Sequence, residues 1–158
     1  MTTLKEGDKA PLFSGKDQQG RKVSLSDYRG KKVVLFFYPQ DNTPTCTIQA
    51  CNLRDNYALL KSAGFEVIGV SPDSEKSHLK FKSNFKLPFN LIADPKHAVI
   101  AKYGVWGPKQ MFGNNYDGVH RTTFVIDAEG IIRKIFLKPK NKHHAEEILT
   151  SLQPESES

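Results

Sequence analysis

Apolar positions along this chain fall into short blocks separated by turn-forming residues, and the blocks alternate between strand-like and helix-like spacing. The run VVLFFY at 33–38 is β-branched and aromatic and apolar at every position, so it reads as a central strand buried on both faces. Pro39 ends it, and a polar stretch follows, Gln40-Asp41-Asn42-Thr43-Pro44. Thr43 then Pro44 reads as a helix start: an N-cap residue followed by a proline at the first helical position, where its missing N–H costs nothing. The spacing of Ile48, Leu53, Tyr57, Leu59 and Leu60 predicts one apolar stripe on a helix that runs to residue 62, with Gly64 as its terminator. FEVIGVS at 65–71 reads as the next buried strand. The two strands and the helix between them make a βαβ unit, with parallel strands and a right-handed crossover.

The pattern then repeats more weakly. Residues 74–84 read as a helix with Ser74 as its cap, 91–93 as a short strand ahead of Asp94-Pro95, and 98–103 as a short helix ended by Gly104. Residues 122–127 and 131–137 flank Ala128-Glu129-Gly130 and predict a hairpin, and 142–152 a closing helix. Nearer the start, Gly7, Pro11, Gly15 and Gln19-Gly20 mark turns, and the alternation at 22–25 predicts a short strand. The order β-α-β-α-β-α-β-β-α implies an α/β fold: a mixed central sheet flanked by helices, thioredoxin-like, with an N-terminal extension. A chain of 158 residues fits one domain, assigned to 1–153, and the acidic PESES at 154–158 reads as a flexible tail.

Composition narrows the function classes. Lys and Arg number 23 against 17 Asp and Glu, a net charge of +6. The lysines are scattered, and the one local concentration, at 133–144, has no aromatic interleaving of the kind that stacks bases; it predicts a solvated basic face, not a nucleic-acid partner. No apolar run approaches the ~20 residues of a membrane span, and MTTLKEGDKA has no basic segment leading into an apolar one. Two cysteines do not make a disulfide-dense secreted scaffold. The expectation is a soluble cytoplasmic protein with no membrane partner, a monomer or at most a weak dimer.

Cys46 carries the strongest chemical signal. It falls in the first turn of a helix, where unpaired N–H groups and the positive end of the dipole stabilise a thiolate. An ordinary thiol of pKa ~8.5 is about 3% ionised at pH 7, whereas one of pKa ~6 is roughly 90% ionised. Cys51 lies five residues on. C-x4-C is neither a zinc spacing nor the C-x-x-C of dithiol reductases. The histidines, at 78, 97, 120, 143 and 144, form no metal motif with the cysteines, and His143-His144 reads as an exposed helix start. On an ideal helix, residues five apart have Cα atoms ~8.7 Å from each other, beyond the ~7 Å reach of a disulfide. A Cys46–Cys51 bond therefore requires the first turns to unwind.

The loop Pro39-x-x-x-Thr43-x-x-Cys46, with Arg121 just ahead of a later strand, resembles the active-site pattern of the peroxiredoxins. The fuller stretch YPQDNTPTCTIQACNLRDNY, GVWG at 104–107, YDGVHRTTFVID at 116–127 and the His143-His144 pair are similar to the Q-type, or bacterioferritin comigratory protein, group. The likeness runs from LKEGDKAP through nearly the whole chain. It departs at Thr45, often Gly in the group, and at Gln49, often Glu, which takes a negative charge off the helix that carries Cys46. The resemblance implies a thiol peroxidase acting on hydrogen peroxide and organic hydroperoxides. It makes Cys46 the peroxidatic nucleophile and Cys51 the resolving thiol of an intramolecular disulfide. Arg121 and Thr43 would contact the peroxide, and Pro39 would screen the sulfur from water. It implies no cofactor, no metal, and a thioredoxin or glutaredoxin as reductant. Trp106 is expected to pack near the site. A redox-responsive binding module using the same thiol switch is the competing reading; it needs none of Thr43, Cys46 and Arg121 together, whereas a peroxidase needs all three.

Overall fold

In the computed structural model, which describes residues 2–151, the elements run in the order β1 (Ser14–Lys16), β2 (Lys22–Ser24), β3 (Lys32–Phe37), α1 (Pro44–Asp55), α2 (Tyr57–Ser62), β4 (Phe65–Ser71), α3 (Glu75–Phe85), β5 (Asn90–Ala93), α4 (Ala98–Tyr103), β6 (Trp106–Met111), β7 (Asn114–Val119), β8 (Thr122–Ile126), β9 (Ile132–Phe136) and α5 (His144–Ser151). Seven strands form one sheet in the order β2-β1-β5-β4-β3-β8-β9, and β6 and β7 pair separately. β3, β4 and β5 are parallel neighbours, while β8 runs antiparallel to β3 and β9 to β8. The expected mixed sheet and its terminal hairpin are therefore present. The stretch at 154–158 lies outside the described residues, as does residue 152 of the expected closing helix.

β3 is apolar at successive positions because both of its faces are covered. Val33, Leu35 and Phe37 enter a core with Val99, Ile100 and Tyr103 of α4 and with Ala10, Phe13 and Leu25 of the N-terminal segment. Val34, Phe36 and then Tyr38 point the other way, into a core with Cys46, Ala50 and Leu53 of α1, Leu60 of α2, Phe81 of α3 and Ile148 of α5. Gly69 of β4 lets this second core close. A Cβ there would lie 2.8 Å from both Phe36 Cζ and Leu91 Cδ2, inside any tolerable contact. No helix among the described residues is long and apolar enough to cross a membrane.

Three expectations are corrected. The helix expected to run unbroken to residue 62 is two pieces. Asn56, at φ −107° and ψ 11°, departs from helical geometry, and its side-chain Nδ2 donates to the Asn52 carbonyl at 2.9 Å, alongside its own backbone N–H. The apolar stripe also differs: Ile48 is 40% and Leu59 59% exposed, and the buried face of α1 is instead Cys46, Gln49, Ala50 and Leu53. Finally, only His143 is exposed. His144 is buried, its Nδ1 2.7 Å from Glu147 Oε1 and its Nε2 2.8 Å from Thr123 Oγ1. These partners suit a neutral ring, with Nδ1–H donating and Nε2 accepting. Burial lowers the pKa of His144 despite the opposing Glu147 carboxylate.

Two features were not expected. β1 is only three residues long and polar at its ends. The β6–β7 hairpin is built from WGPKQM and NNYDGV, a stretch rich in polar residues, Gly and Pro. Its two-residue loop, Phe112-Gly113, has φ of +51° and +81°, the left-handed geometry of a tight hairpin turn.

Candidate active site

Sheet register brings the two strongest sequence candidates together. Phe37, the last residue of β3, pairs with Thr122, the first of β8. Arg121 therefore emerges beside the loop that leaves β3 and starts α1, although 75 positions separate it from Cys46. This is the carboxyl end of the parallel strands, the edge where open α/β sheets place their sites. Cys46 is the third residue of α1. The N–H groups of Thr45 and Cys46 lie in the first turn, where no intrahelical acceptor exists for them. Cys46 is buried and is a free thiol.

Arg121 spans two partners. Its Nη2 donates to Cys46 Sγ at 3.1 Å, and its Nη1 donates to Gln49 Oε1 at 2.7 Å. A guanidinium touching the sulfur favours the anionic thiolate. Gln49 is fully buried one turn along α1, so it holds the guanidinium against the sulfur without adding a charge, and its Nε2 has no hydrogen-bond partner among the described residues. The sequence marked Gln49 only as a departure; its contact with Arg121 emerges from the fold.

Thr43 occupies the N-cap position of α1 as expected, but its hydroxyl does not cap the helix. It donates to the Gln40 carbonyl at 3.0 Å, and the first helical bond is made by the Thr43 backbone carbonyl to Thr47 N–H, 2.9 Å. A hydroxyl whose proton is committed in this way retains lone pairs and can accept from a peroxide O–H. Pro39, Thr43, Cys46, Trp106, Lys109 and Arg121 all line one cleft of about 590 Å³. Set against the roughly 30 Å³ share of a liquid water molecule, that volume accommodates an organic hydroperoxide. Trp106 stacks on His97, ring centroids 4.1 Å apart, and so packs at the rim.

The loop at 39–43 is tied down from below. Asp41 accepts from the Tyr38 hydroxyl at 2.6 Å and from Ser77 Oγ at 2.8 Å, and lies 2.7 Å from His78 Nδ1. Its backbone N–H donates to Asp73 Oδ2 at 2.6 Å. Asp41, Asp73 and His78 form a group with metal-ligand spacing, their ligand atoms within 4.8 Å of one another. Each is already engaged: His78 Nε2 lies 3.0 Å from the Ile92 carbonyl, and Asp73 Oδ2 also accepts from Ser71 Oγ at 3.0 Å. The group anchors the loop, and no sequence spacing marked it.

Cys51 is not brought to the cleft. It is a free, half-buried thiol on the same unbroken helix, where burial pushes its pKa up, Arg54 partly offsets this and Asp55 adds to it. The structure thus gathers Pro39, Thr43, Cys46 and Arg121 and leaves Cys51 apart. It adds Lys109, which the sequence reading missed because the polar hairpin carrying it gave no periodic signal.

A helix-start cysteine held by a guanidinium, at the strand ends of an α/β sheet, defines a thiol-dependent redox enzyme. The AhpC/TSA family profile matches residues 6–135. The chain belongs to that family and is a peroxiredoxin, a thiol-dependent peroxidase with a hydroperoxide substrate and a thiol reductant. Peroxiredoxin Bcp of Escherichia coli K12 is 45% identical over 152 residues, covering 96% of this chain and 97% of that one. Peroxiredoxin Bcp of Bacillus subtilis 168 is 44% identical over 155 residues, 98% and 99% of the two chains. Among solved structures, a Cys-to-Ser variant of the Xylella fastidiosa PrxQ superposes with a TM-score of 0.90 at 28% identity, over 96% of this chain and 97% of that one. Peroxidoxin BcpB of Mycobacterium tuberculosis gives 0.83 at 32% identity, over 94% and 96%. The fold is thioredoxin-like, as the element order implied.

Proposed function

We propose that Cys46 is the peroxidatic nucleophile of this enzyme and Cys51 its resolving thiol. The observation that carries the first role is the 3.1 Å contact between Arg121 and the sulfur, backed by Gln49. The Cys46 thiolate attacks the distal peroxide oxygen, the O–O bond breaks, and Cys46 becomes a sulfenic acid while the leaving oxygen departs as an alcohol or water. Arg121 faces the charge that develops on the oxygens, and Thr43 accepts from the peroxide O–H. Pro39 forms part of the wall that keeps water from the sulfenate. The first turns of α1 then open, the Cys51 thiolate attacks the Cys46 sulfur, and hydroxide leaves as the disulfide forms. A dithiol of the thioredoxin or glutaredoxin type, in a reducing cytoplasm, returns both thiols by exchange. A solved relative from Xanthomonas campestris was studied for alkyl peroxide reduction, which supports organic hydroperoxides as substrates beside hydrogen peroxide. The unit that does this is a monomer or at most a weak dimer.

Peroxide consumption coupled to NADPH through thioredoxin and its reductase tests the reading. Cys46→Ser should abolish turnover, because an alcohol is hardly ionised at neutral pH and is a far poorer nucleophile. Retention of a tenth of the wild-type rate, on the order of 1 kcal/mol of barrier, would rule out Cys46 as the nucleophile.

A further inference from the structure

The cleft holds a second cation that the mechanism above does not use. Lys109 sits on β6, opposite Tyr116 of β7, and lines the cleft together with Cys46 and Arg121. Its Nζ donates to the Val119 carbonyl at 2.9 Å, two residues ahead of Arg121. That bond pins the ammonium to the wall of the site and leaves two of its three protons free. No described carboxylate lies within ion-pair distance of it.

The titratable groups sharing this cleft are Cys46 from α1, Tyr116 and Asp117 from β7, and Arg121 ahead of β8. Burial weakens the hold of Lys109 on its proton, Arg121 weakens it further, and the Cys46 sulfur opposes both. The negative charge that supports the ammonium is therefore the one the reaction moves. As the sulfur is oxidised, that charge leaves it and appears on the departing oxygen. The other donors are poor sources of a proton there. Arg121 stays charged and does not give up a proton in proteins. The Thr43 proton is spent on the Gln40 carbonyl. Asp117 is a carboxylate, and Tyr116 is substantially exposed.

We propose that Lys109 is the proton donor to the leaving oxygen of the hydroperoxide. This rests on the reading of Cys46 as the nucleophile. A lone pair of the Cys46 thiolate forms the S–O bond to the hydroxyl oxygen of R–O–O–H. The O–O bond breaks and its electron pair goes to the RO oxygen. A proton from the Lys109 ammonium joins that oxygen to give ROH. Cys46 is left as sulfenic acid, and the neutral Lys109 amine takes back a proton from water. Sulfur is oxidised by two electrons, the peroxide is reduced by two, and no other reactant is needed.

A general acid matters in proportion to the basicity of the group it protonates, which gives a test that a purely structural role would not meet. Second-order rate constants for the peroxide step should be measured by stopped flow with tert-butyl hydroperoxide, whose leaving group is a strongly basic alkoxide, and with peroxyacetic acid, whose leaving group is acetate. Lys109→Met should lose roughly 10²-fold with the first and less than about threefold with the second. Lys109→Arg, which keeps the charge and can keep the bond to the Val119 carbonyl but gives up no proton, should show the same split. Equal losses on both peroxides in the Arg variant, or a wild-type rate with tert-butyl hydroperoxide, would overturn the proposal. So would a substrate-dependent loss in Tyr116→Phe with Lys109→Met unimpaired, which assigns the proton to the neighbouring phenol. Failure of the Cys46 reading looks different: no sulfenic acid on Cys46 in Cys51→Ser, where it cannot be resolved, with either peroxide.

Discussion

Cys46 and Cys51 stand on one helix, both withdrawn from solvent, yet their surroundings have opposite chemical effects. Near Cys46 the free corner of a guanidinium reaches the sulfur at 3.1 Å, and the open N–H groups of the first turn lie beside it. Near Cys51 the cation that opposes the effect of burial, Arg54, is spent. Its Nε and Nη2 lie 2.9 Å from Asp55 Oδ1, and its Nη1 donates to the Phe85 carbonyl at 2.8 Å. Burial then dominates and pushes the Cys51 thiol up. The contrast teaches that burial by itself suppresses a thiolate and that the partner decides the outcome. On the mechanism proposed above it also orders the reaction: Arg121 meets the Cys46 sulfur while the helix is folded, and Cys51 reaches that sulfur only once the helix opens.

The largest effect should come from removing the partner that makes the difference. Arg121→Lys keeps a positive charge but loses the fork that spans Sγ and Gln49. The peroxide step should fall on the order of 10²-fold, the cost of one transition-state donor, as stopped flow would show. An unchanged rate constant would make Arg121 structural only.

The second comparison is kinetic. Disulfide closure needs the Cys51 thiolate, and the Cys51 pKa is raised by burial. The thiolate fraction, and with it the closure rate, should rise about tenfold per pH unit from neutrality until Cys51 ionises. The peroxide step on Cys46 should not share that slope. Rapid-quench mass spectrometry of sulfenic acid and disulfide separates the two. Cys51→Ser should leave the first step intact and trap Cys46 as sulfenic acid, open to over-oxidation. A pH-independent closure rate would mean that helix opening, not ionisation, limits it.

A smaller effect tests the neutral contact behind Arg121. Gln49→Glu places a carboxylate against the guanidinium that serves Cys46. The new carboxylate then competes with the Cys46 sulfur and the departing oxygen for that cation, and the peroxide step should slow a few-fold, as stopped flow would show. An unchanged rate constant would mean that Gln49 only holds geometry.

What was legible in the sequence follows how each element buries itself. β3 and β4 face a core on both sides, so their apolar runs left no doubt, and α4 with its Gly104 terminator was read residue for residue. Cys46, Thr43, Pro39 and Arg121 were legible because helix-start chemistry and a spaced motif mark them. The β6–β7 hairpin was not, since it buries little, and with it went Lys109. The break at Asn56 was hidden because an asparagine side chain bonding back to residue 52 competes with the helix locally, while the apolar spacing continues past it. The burial of His144 depends on Thr123 and Glu147, partners that only the tertiary fold supplies.

The smallest effect concerns where helix opening stops. Asn52, next to Cys51, joins α1 to the start of α5. Its Oδ1 accepts from Ala145 N–H at 2.7 Å, and its Nδ2 donates to the Lys142 carbonyl at 2.9 Å and to Glu146 Oε1 at 3.0 Å. One side chain thus caps α5 from another helix, satisfying an N–H that α5 cannot satisfy itself. A Cys46–Cys51 bond must unwind the residues between the two thiols, because the ~8.7 Å helical separation cannot be bridged. Opening that ran past residue 51 would uncap α5. Hydrogen exchange should therefore show protection lost on oxidation across 44–51 and kept across α5. Asn52→Ala should cost about 1 kcal/mol in the reduced protein, the scale of a lost cap, read from urea midpoints. It should also let the loss of protection on oxidation spread to 52–55 and to 144–147. Equal protection of 44–51 in both redox states of the wild type, with the Cys46–Cys51 bond confirmed, would show that the helix does not open as argued. Unchanged α5 protection in oxidised Asn52→Ala would show that the clamp is not what limits it.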